Sequence, residues 1–154
     1  MTLRAWRIVK EKQASTALDG EGAWLYGGRW NSPGTRVVYT SAALSLAALE
    51  SLVHLNPPVM FRYVAIPIEF DAAWRDSVGM SELPAGWTEE PPPPSTKRIG
   101  DLWVKEARSA VLEVPSVVIR SECNYLLNPA HPDFGRIQVG KAVPSASPRG
   151  NSLI

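Results

Sequence analysis

At 154 residues the chain suits one domain able to bury roughly two thirds of its unfolded surface, and 45% hydrophobic with 20% charged residues excludes a wholly disordered polymer. Sixteen basic against fifteen acidic residues leave a net charge of +1, which supplies no broad footprint for nucleic acid or an acidic membrane. The single cysteine, Cys123, excludes an intrachain disulfide and a thiolate zinc cluster, while the charged start of the chain and the lack of an apolar run of about 20 residues point to a cytoplasmic protein.

Leu3 to Val9 reads as a strand, followed by a glycine-rich, loop-like stretch from Ala17 to Gly34 that includes Gly27 and Gly28. Arg36 to Thr40 predicts a short strand, and Ser41 stands where an N-cap is needed for a helix over Ala42 to Leu55. Met60 to Phe70 predicts a long strand with Val64, Ile66, Ile68 and Phe70 on one face, and Pro67 points to an edge position or a bulge. The proline run Pro91 to Pro94 suits an extended surface connection.

Ser95 or Thr96 can then cap a helix to about Ala110, with Ile99, Leu102, Trp103 and Ala107 near one face. Val111 to Arg120 returns to strand, NYLLNPAHPDF reads as turns, and Arg136 to Val139 makes a last strand before a tail of Ser, Pro and Gly. Strands interspersed with two helices predict a mixed α/β or α+β domain, with most of the tryptophans in its core.

Glu50 is the only Asp, Glu, Lys or Arg between Arg36 and Arg62, on a helix made chiefly of Ala and Leu. A carboxylate buried there needs a cation or a polar group to face it; a structural ion pair and an exposed helix face are the other readings. His54, a turn further on, reads as a polar neighbour rather than a metal ligand. Arg29, in LYGGRWNSPG, joins a guanidinium able to grip phosphate to glycines that admit a close backbone, yet a surface turn with Arg29 solvated or paired to Glu50 fits as well. The Rossmann fingerprint does not match, because the glycine spacing differs.

Arg7 is ambiguous in the same way. Tyr39 can offer a ring to a planar cation or simply fill the core, and Ser116 can donate a hydrogen bond but has no His and Asp beside it to make it a nucleophile. Asn124, Asn128 and His131 carry substrate-orienting groups, though His131 reads better as a loop former.

Taken together, GEGAWLYGGRWNSPGTRVVYTSAALSLAALESLVHL and VPSVVIRSECNYLLNPAHPDF closely resemble the RES domain, from Arg7 to about Phe134 of a single domain spanning 1–154 with a tail over 140–154. The Arg, Glu and Ser that give the family its name match Arg29, Glu50 and Ser116. The resemblance implies the fold of ADP-ribosyltransferase toxins, a central split β-sheet with flanking helices. It implies NAD as substrate rather than as cofactor, with Glu50 as the catalytic carboxylate and Arg7, Arg29, Tyr39, Ser116 and Asn124 in the NAD pocket; the chemistry of these groups then suggests Arg7 and Arg29 on the pyrophosphate and Tyr39 on the nicotinamide.

The activity implied is that of a toxin that breaks the nicotinamide-ribose bond. NAD depletion by hydrolysis or phosphorolysis ranks before mono-ADP-ribosylation of a protein, and a non-catalytic nucleotide- or partner-binding module ranks last. Implied partners are a helix-turn-helix antitoxin covering the NAD entrance and a second copy of the toxin. No direct contact with nucleic acid and no metal is implied.

Overall fold

The computed structural model describes residues 1–53 and 62–145. Among these, strand β1 (Thr2–Lys10) leads through a short helix α1 (Glu21–Tyr26) to β2 (Val38–Ser41), helix α2 (Leu44–Val53), β3 (Tyr63–Asp71) and β4 (Arg75–Ser77). Helix α3 (Pro94–Lys105) follows, then β5 (Val111–Pro115), β6 (Cys123–Leu127), β7 (Gln138–Val139) and β8 (Val143–Ser145). The expected mixed helix-and-strand architecture is what forms. His54, Leu55, Met60 and the end of the tail lie outside the described residues.

The strands share one sheet in the order β4-β5-β6-β2-β1-β3-β7, with β8 also pairing β3, and only β4 and β5 run parallel. β1 and β3 pair throughout, from Thr2 opposite Asp71 to Lys10 opposite Tyr63, whereas β1 meets β2 at a single position, Trp6 opposite Ser41. The sheet is therefore split at that seam into two halves that diverge on either side of it. Pro67 is on a central strand rather than an edge. Its missing N–H is tolerated because its outer side falls where pairing passes from β8 to β7, and its carbonyl accepts from Gly140 N.

Period-two alternation builds the core on both faces. Val64, Ile66, Ile68 and Phe70 of β3 join Val38, Val111, Tyr125 and Leu127 in one cluster, as the β3 pattern predicts. Leu112, Val114 and Leu126 point the other way, onto Trp30 and Trp103. Of the tryptophans only Trp30 and Trp103 are buried; Trp24 is 40% exposed and the rest are intermediate, so the expectation that most are core is corrected.

Several local expectations also change. Ser41 closes β2 instead of capping α2, because its hydroxyl is used across the sheet. The glycine-rich stretch holds α1, which the high glycine content concealed. Asn124 to Leu127 is strand β6, not turn, since it is clamped between β2 and β5, while Val111 to Arg120 stays extended only to Pro115. Phe134–Arg136 is a 3-10 turn ahead of the short β7, and the tail contributes β8.

Pro94 occupies the first turn of α3, where a helix loses nothing by a missing N–H, and neither Ser95 nor Thr96 caps it. Thr96, Gly100 and Trp103 form the buried stripe of α3, whereas Leu102 and Ala107 are exposed. Gly100 explains the choice of face: a Cβ there would stand 1.7 Å from the carbonyl oxygen of Trp30, so only glycine lets α3 lie against the Gly27–Trp30 turn. Replacement Gly100→Ala should lower unfolding free energy by about 1–3 kcal/mol through overpacking against backbone. Urea denaturation measures this, and an unchanged midpoint would contradict the close approach.

Candidate active site

A cleft of about 990 Å³ opens along the seam of the split sheet. Trp6 and Arg7 of β1, Tyr39 to Ser41 of β2, Glu50 of α2, Asn124 of β6 and the Gly27 to Trp30 turn line it. Its size suits a small-molecule ligand. Arg7, Arg29, Tyr39, Glu50 and Asn124 thus come together from five separate elements of the chain, and Ser116 joins them through Glu50.

The half-buried Glu50 is met by neutral donors. Its Oε1 accepts from Ser116 Oγ at 2.9 Å and its Oε2 from Asn124 Nδ2 at 2.9 Å. Ser116 is fully buried just after β5, and its hydroxyl oxygen also accepts from the N–H groups of Val118 and Ile119 at 3.1 Å, which fixes the turn and the hydroxyl together. Asn124 sits opposite Ser41 in the β2–β6 ladder, and Ser41 Oγ donates to its Oδ1 at 2.8 Å. The carboxylate is thereby held in one orientation, and among the described residues no cation is paired with it. Each of its oxygens keeps a further lone pair for a ligand.

Arg29 is engaged elsewhere, so the reading that pairs it with Glu50 is not what the fold builds. Its Nη1 donates to the carbonyls of Trp87 and Glu89, and its Nη2 pairs with Glu90. The arginine side chain is only 11% exposed and the acid 65%, so Glu90 sits at the solvent side of the cleft. Arg7 donates from Nε to Ala17 O and from Nη1 to Tyr39 O, bridging β1 and β2 where their ladder has opened. Burial draws the Arg7 guanidinium below its ordinary pKa, and Asp19 partly opposes this.

The Tyr39 hydroxyl donates to Asn31 Oδ1 at 2.6 Å and accepts from Trp30 N at 3.1 Å. Burial is the main cause of a phenol pKa raised well above normal. A Cβ at Gly28 would lie 2.6 Å from this hydroxyl, which accounts for a glycine there. Asn31, fully buried, turns its Nδ2 to the carbonyls of Ala23, Ser32 and Thr35 and so knits the turn that carries Arg29.

Sequence reading missed Ser41, Asn31, Glu90 and Lys97. Lys97 Nζ donates to Gly28 O at 2.6 Å from α3 and lines the cleft. Only its place one turn into a helix could have hinted at this, and the partner is 69 residues away. Asn128 and His131 belong to the turn after β6: Asn128 Oδ1 accepts from Ala130 N, and His131 Nδ1 accepts from Asp133 N. Among the described residues no helix is long and apolar enough to cross a membrane.

The RES domain model matches residues 4–147. The Prs ADP-ribosylating toxin of Sphingobium sp. (strain YBL2) is 38% identical over 147 residues, covering 92% of this chain and 91% of its own. Toxin Res of Yersinia enterocolitica serotype O:8 / biotype 1B is 35% identical over 130 residues, covering 84% and 86% respectively. Among solved structures, the M. tuberculosis MbcT-MbcA toxin-antitoxin complex contains a chain that superposes with a TM-score of 0.74 at 16% identity, over 94% of this chain and 85% of that one. That likeness is one of fold.

Removing the Tyr39 hydroxyl tests the turn that carries Arg29. Tyr39→Phe leaves Asn31 Oδ1 and Trp30 N–H without this partner and should cost about 1–3 kcal/mol of stability. Because the folded pKa of this phenol exceeds the unfolded value of 10.0, its protonated form stabilises the fold below pH 10 and the contribution is lost as pH rises beyond it. Denaturation of both proteins on either side of pH 10 should therefore show a steeper alkaline decline in the wild type, and parallel curves would contradict the assignment.

Proposed function

The chain belongs to the RES domain family, and from that premise we propose that it is the toxin of a toxin-antitoxin pair, which binds NAD in the seam cleft and breaks the bond between nicotinamide and ribose. The observation that carries the reading is the Glu50 carboxylate, fixed by Ser116 and Asn124 on the wall of a cleft that also holds Arg7, Arg29 and Tyr39. Nicotinamide in NAD is already a cationic leaving group, so it departs with the bonding pair as a neutral molecule and needs no acid. The barrier lies in the oxocarbenium-like ribose left behind.

An anionic Glu50 stabilises that cation and accepts a hydrogen bond from a ribose hydroxyl on its unused lone pairs. Neutral donors suit this task, because a resident cation at Glu50 would compete with the one that develops in the reaction. Arg29 holds the pyrophosphate after exchanging Glu90 for it. An ion pair whose acid is mostly exposed contributes about 0–1 kcal/mol, so a doubly charged pyrophosphate displaces it at little cost. Arg7 spends two of its five N–H donors on bonds among the described residues and offers the others to the same group, and Tyr39 packs against the nicotinamide. The antitoxin reading is supported by exposed Leu25 and Tyr26 on α1, with Tyr26 on the cleft rim.

Water captures the ribosyl cation to give ADP-ribose and a proton, or phosphate captures it to give the ADP-ribosyl phosphate. Transfer to a protein nucleophile is the second reading, favoured by the likeness to the Sphingobium ADP-ribosylating toxin. Glu50→Gln should slow nicotinamide release from NAD by about 100-fold or more, as for loss of a group aimed at transition-state charge. Release at the wild-type rate would overturn the role of Glu50. Incubating the enzyme with adenylate-labelled NAD and cell extract separates the acceptors: label confined to small molecules indicates depletion, and a labelled protein band indicates transfer.

A further inference from the structure

We propose that Ser41 is a positioning residue for the Glu50 carboxylate, acting through Asn124 by pairing the amide Oδ1 that is left buried when Nδ2 faces the acid. The proposal rests on the reading of Glu50 given above. Ser41 stands at the only position where β1 and β2 pair, and it is also directly opposite Asn124 in the β2–β6 ladder. Its backbone is therefore fixed from both sides. Ser41 and Asn124 are 5% and 8% exposed, so the little of them that solvent reaches lies at the cleft wall.

The two ends of an asparagine amide have nearly the same shape, and packing alone does not choose between them. Hydrogen bonding does: the Glu50 carboxylate can only accept and so takes Nδ2, and the Ser41 hydroxyl, able to donate or accept, supplies the donor that Oδ1 then needs. Ser41 Oγ donates to Asn124 Oδ1 at 2.8 Å, and Asn124 Nδ2 donates to Glu50 Oε2 at 2.9 Å. Turning the amide over would set Oδ1 against a carboxylate oxygen, two acceptors with no proton between them. The Ser41 bond keeps the buried Oδ1 satisfied, and its polarisation of the amide strengthens the N–H donated to Glu50. Without it Oδ1 is left unpaired, and the amide gains a reason to rotate toward a ribose hydroxyl and release Glu50.

Ser116 holds the other carboxylate oxygen through an independent turn, so loss of Ser41 loosens Glu50 on one side without freeing it. The expected signature is a slower chemical step with unchanged affinity. Ser41→Ala should lower kcat for nicotinamide release about 10-fold, the lower end of the range for a residue supporting a catalytic ligand. KM for NAD should stay within about twofold, as expected when binding in the ground state is untouched. Ser41→Thr, which keeps the hydroxyl, should restore most of the rate. Ser41→Cys fills the same space with a weak donor and reads the same loss should Ser41→Ala not fold.

A second readout needs no turnover. In nitrogen-15 NMR spectra of the free protein, the Asn124 side-chain proton facing Glu50 should be shifted and protected from solvent exchange. In Ser41→Ala or Ser41→Cys the shift should shrink and solvent exchange should quicken, because the unpaired Oδ1 no longer pins or polarises the amide, while the backbone amides of β2 and β6 keep their positions and protection. An unchanged Asn124 amide, or a raised KM at constant kcat, would overturn the proposal. If the wild type released no nicotinamide the functional reading would fall, and the amide spectrum would still decide whether Ser41 orients Asn124.

Discussion

The arrangement depends on one constraint: a carboxylate placed on an apolar helix must be satisfied, and among the described residues two neutral groups satisfy it. Burying an unpaired carboxylate costs several kcal/mol, and the common remedy is a cation. The fold instead brings a hydroxyl from the end of β5 and an amide from β6 to the two oxygens of Glu50. Those donors can reach because β5, β6 and β2 are adjacent strands with α2 following directly on β2. The register that puts Asn124 opposite Ser41 and Pro115 opposite Cys123 therefore sets the geometry at Glu50.

The opening of the sheet supplies the rest. The β1–β2 ladder pairs only at Trp6 and Ser41, and Arg7 closes part of the gap with a side-chain bond to the Tyr39 carbonyl. The remainder is cleft. On its far wall the Gly27 to Trp30 turn is tied to α3 by Thr96 and Lys97, through the carbonyls of Arg29 and Gly28, and by Asp101, which accepts from Ser32. Two rigid walls thus face each other, one presenting a carboxylate and the other an arginine. On the proposed reading they divide the labour between the ribose and the pyrophosphate of one ligand.

Much of this was legible from the residues. The alternation in β3 reports a real buried face, and Glu50 stands out because nothing else charged accompanies it. The family resemblance selects Arg29, Tyr39, Ser116 and Asn124, and all but Ser116 line the cleft directly. What composition could not disclose were partners far along the chain. Ser116 meets Glu50 across 66 residues, and Arg29 meets the carbonyl of Trp87 across 58. Ser41 looked like a cap because its sequence neighbours are helical, yet the sheet claims its hydroxyl. The short helix α1 was hidden for a related reason, since Gly22 within it and Gly20 and Gly27 at its ends read as a loop until the chain around them is packed.

The central claim is that Glu50, held by Ser116 and Asn124, faces the ribose of NAD while Arg29 exchanges Glu90 for the pyrophosphate. A crystal structure of the protein with a non-cleavable NAD analogue tests it most directly. The account predicts a Glu50 oxygen within hydrogen-bond distance of a nicotinamide-ribose hydroxyl, both existing bonds to the carboxylate retained, and the Arg29 guanidinium on the pyrophosphate. An analogue bound away from the seam, or one seated there with Arg29 still on Glu90 and Glu50 turned from the sugar, would contradict it.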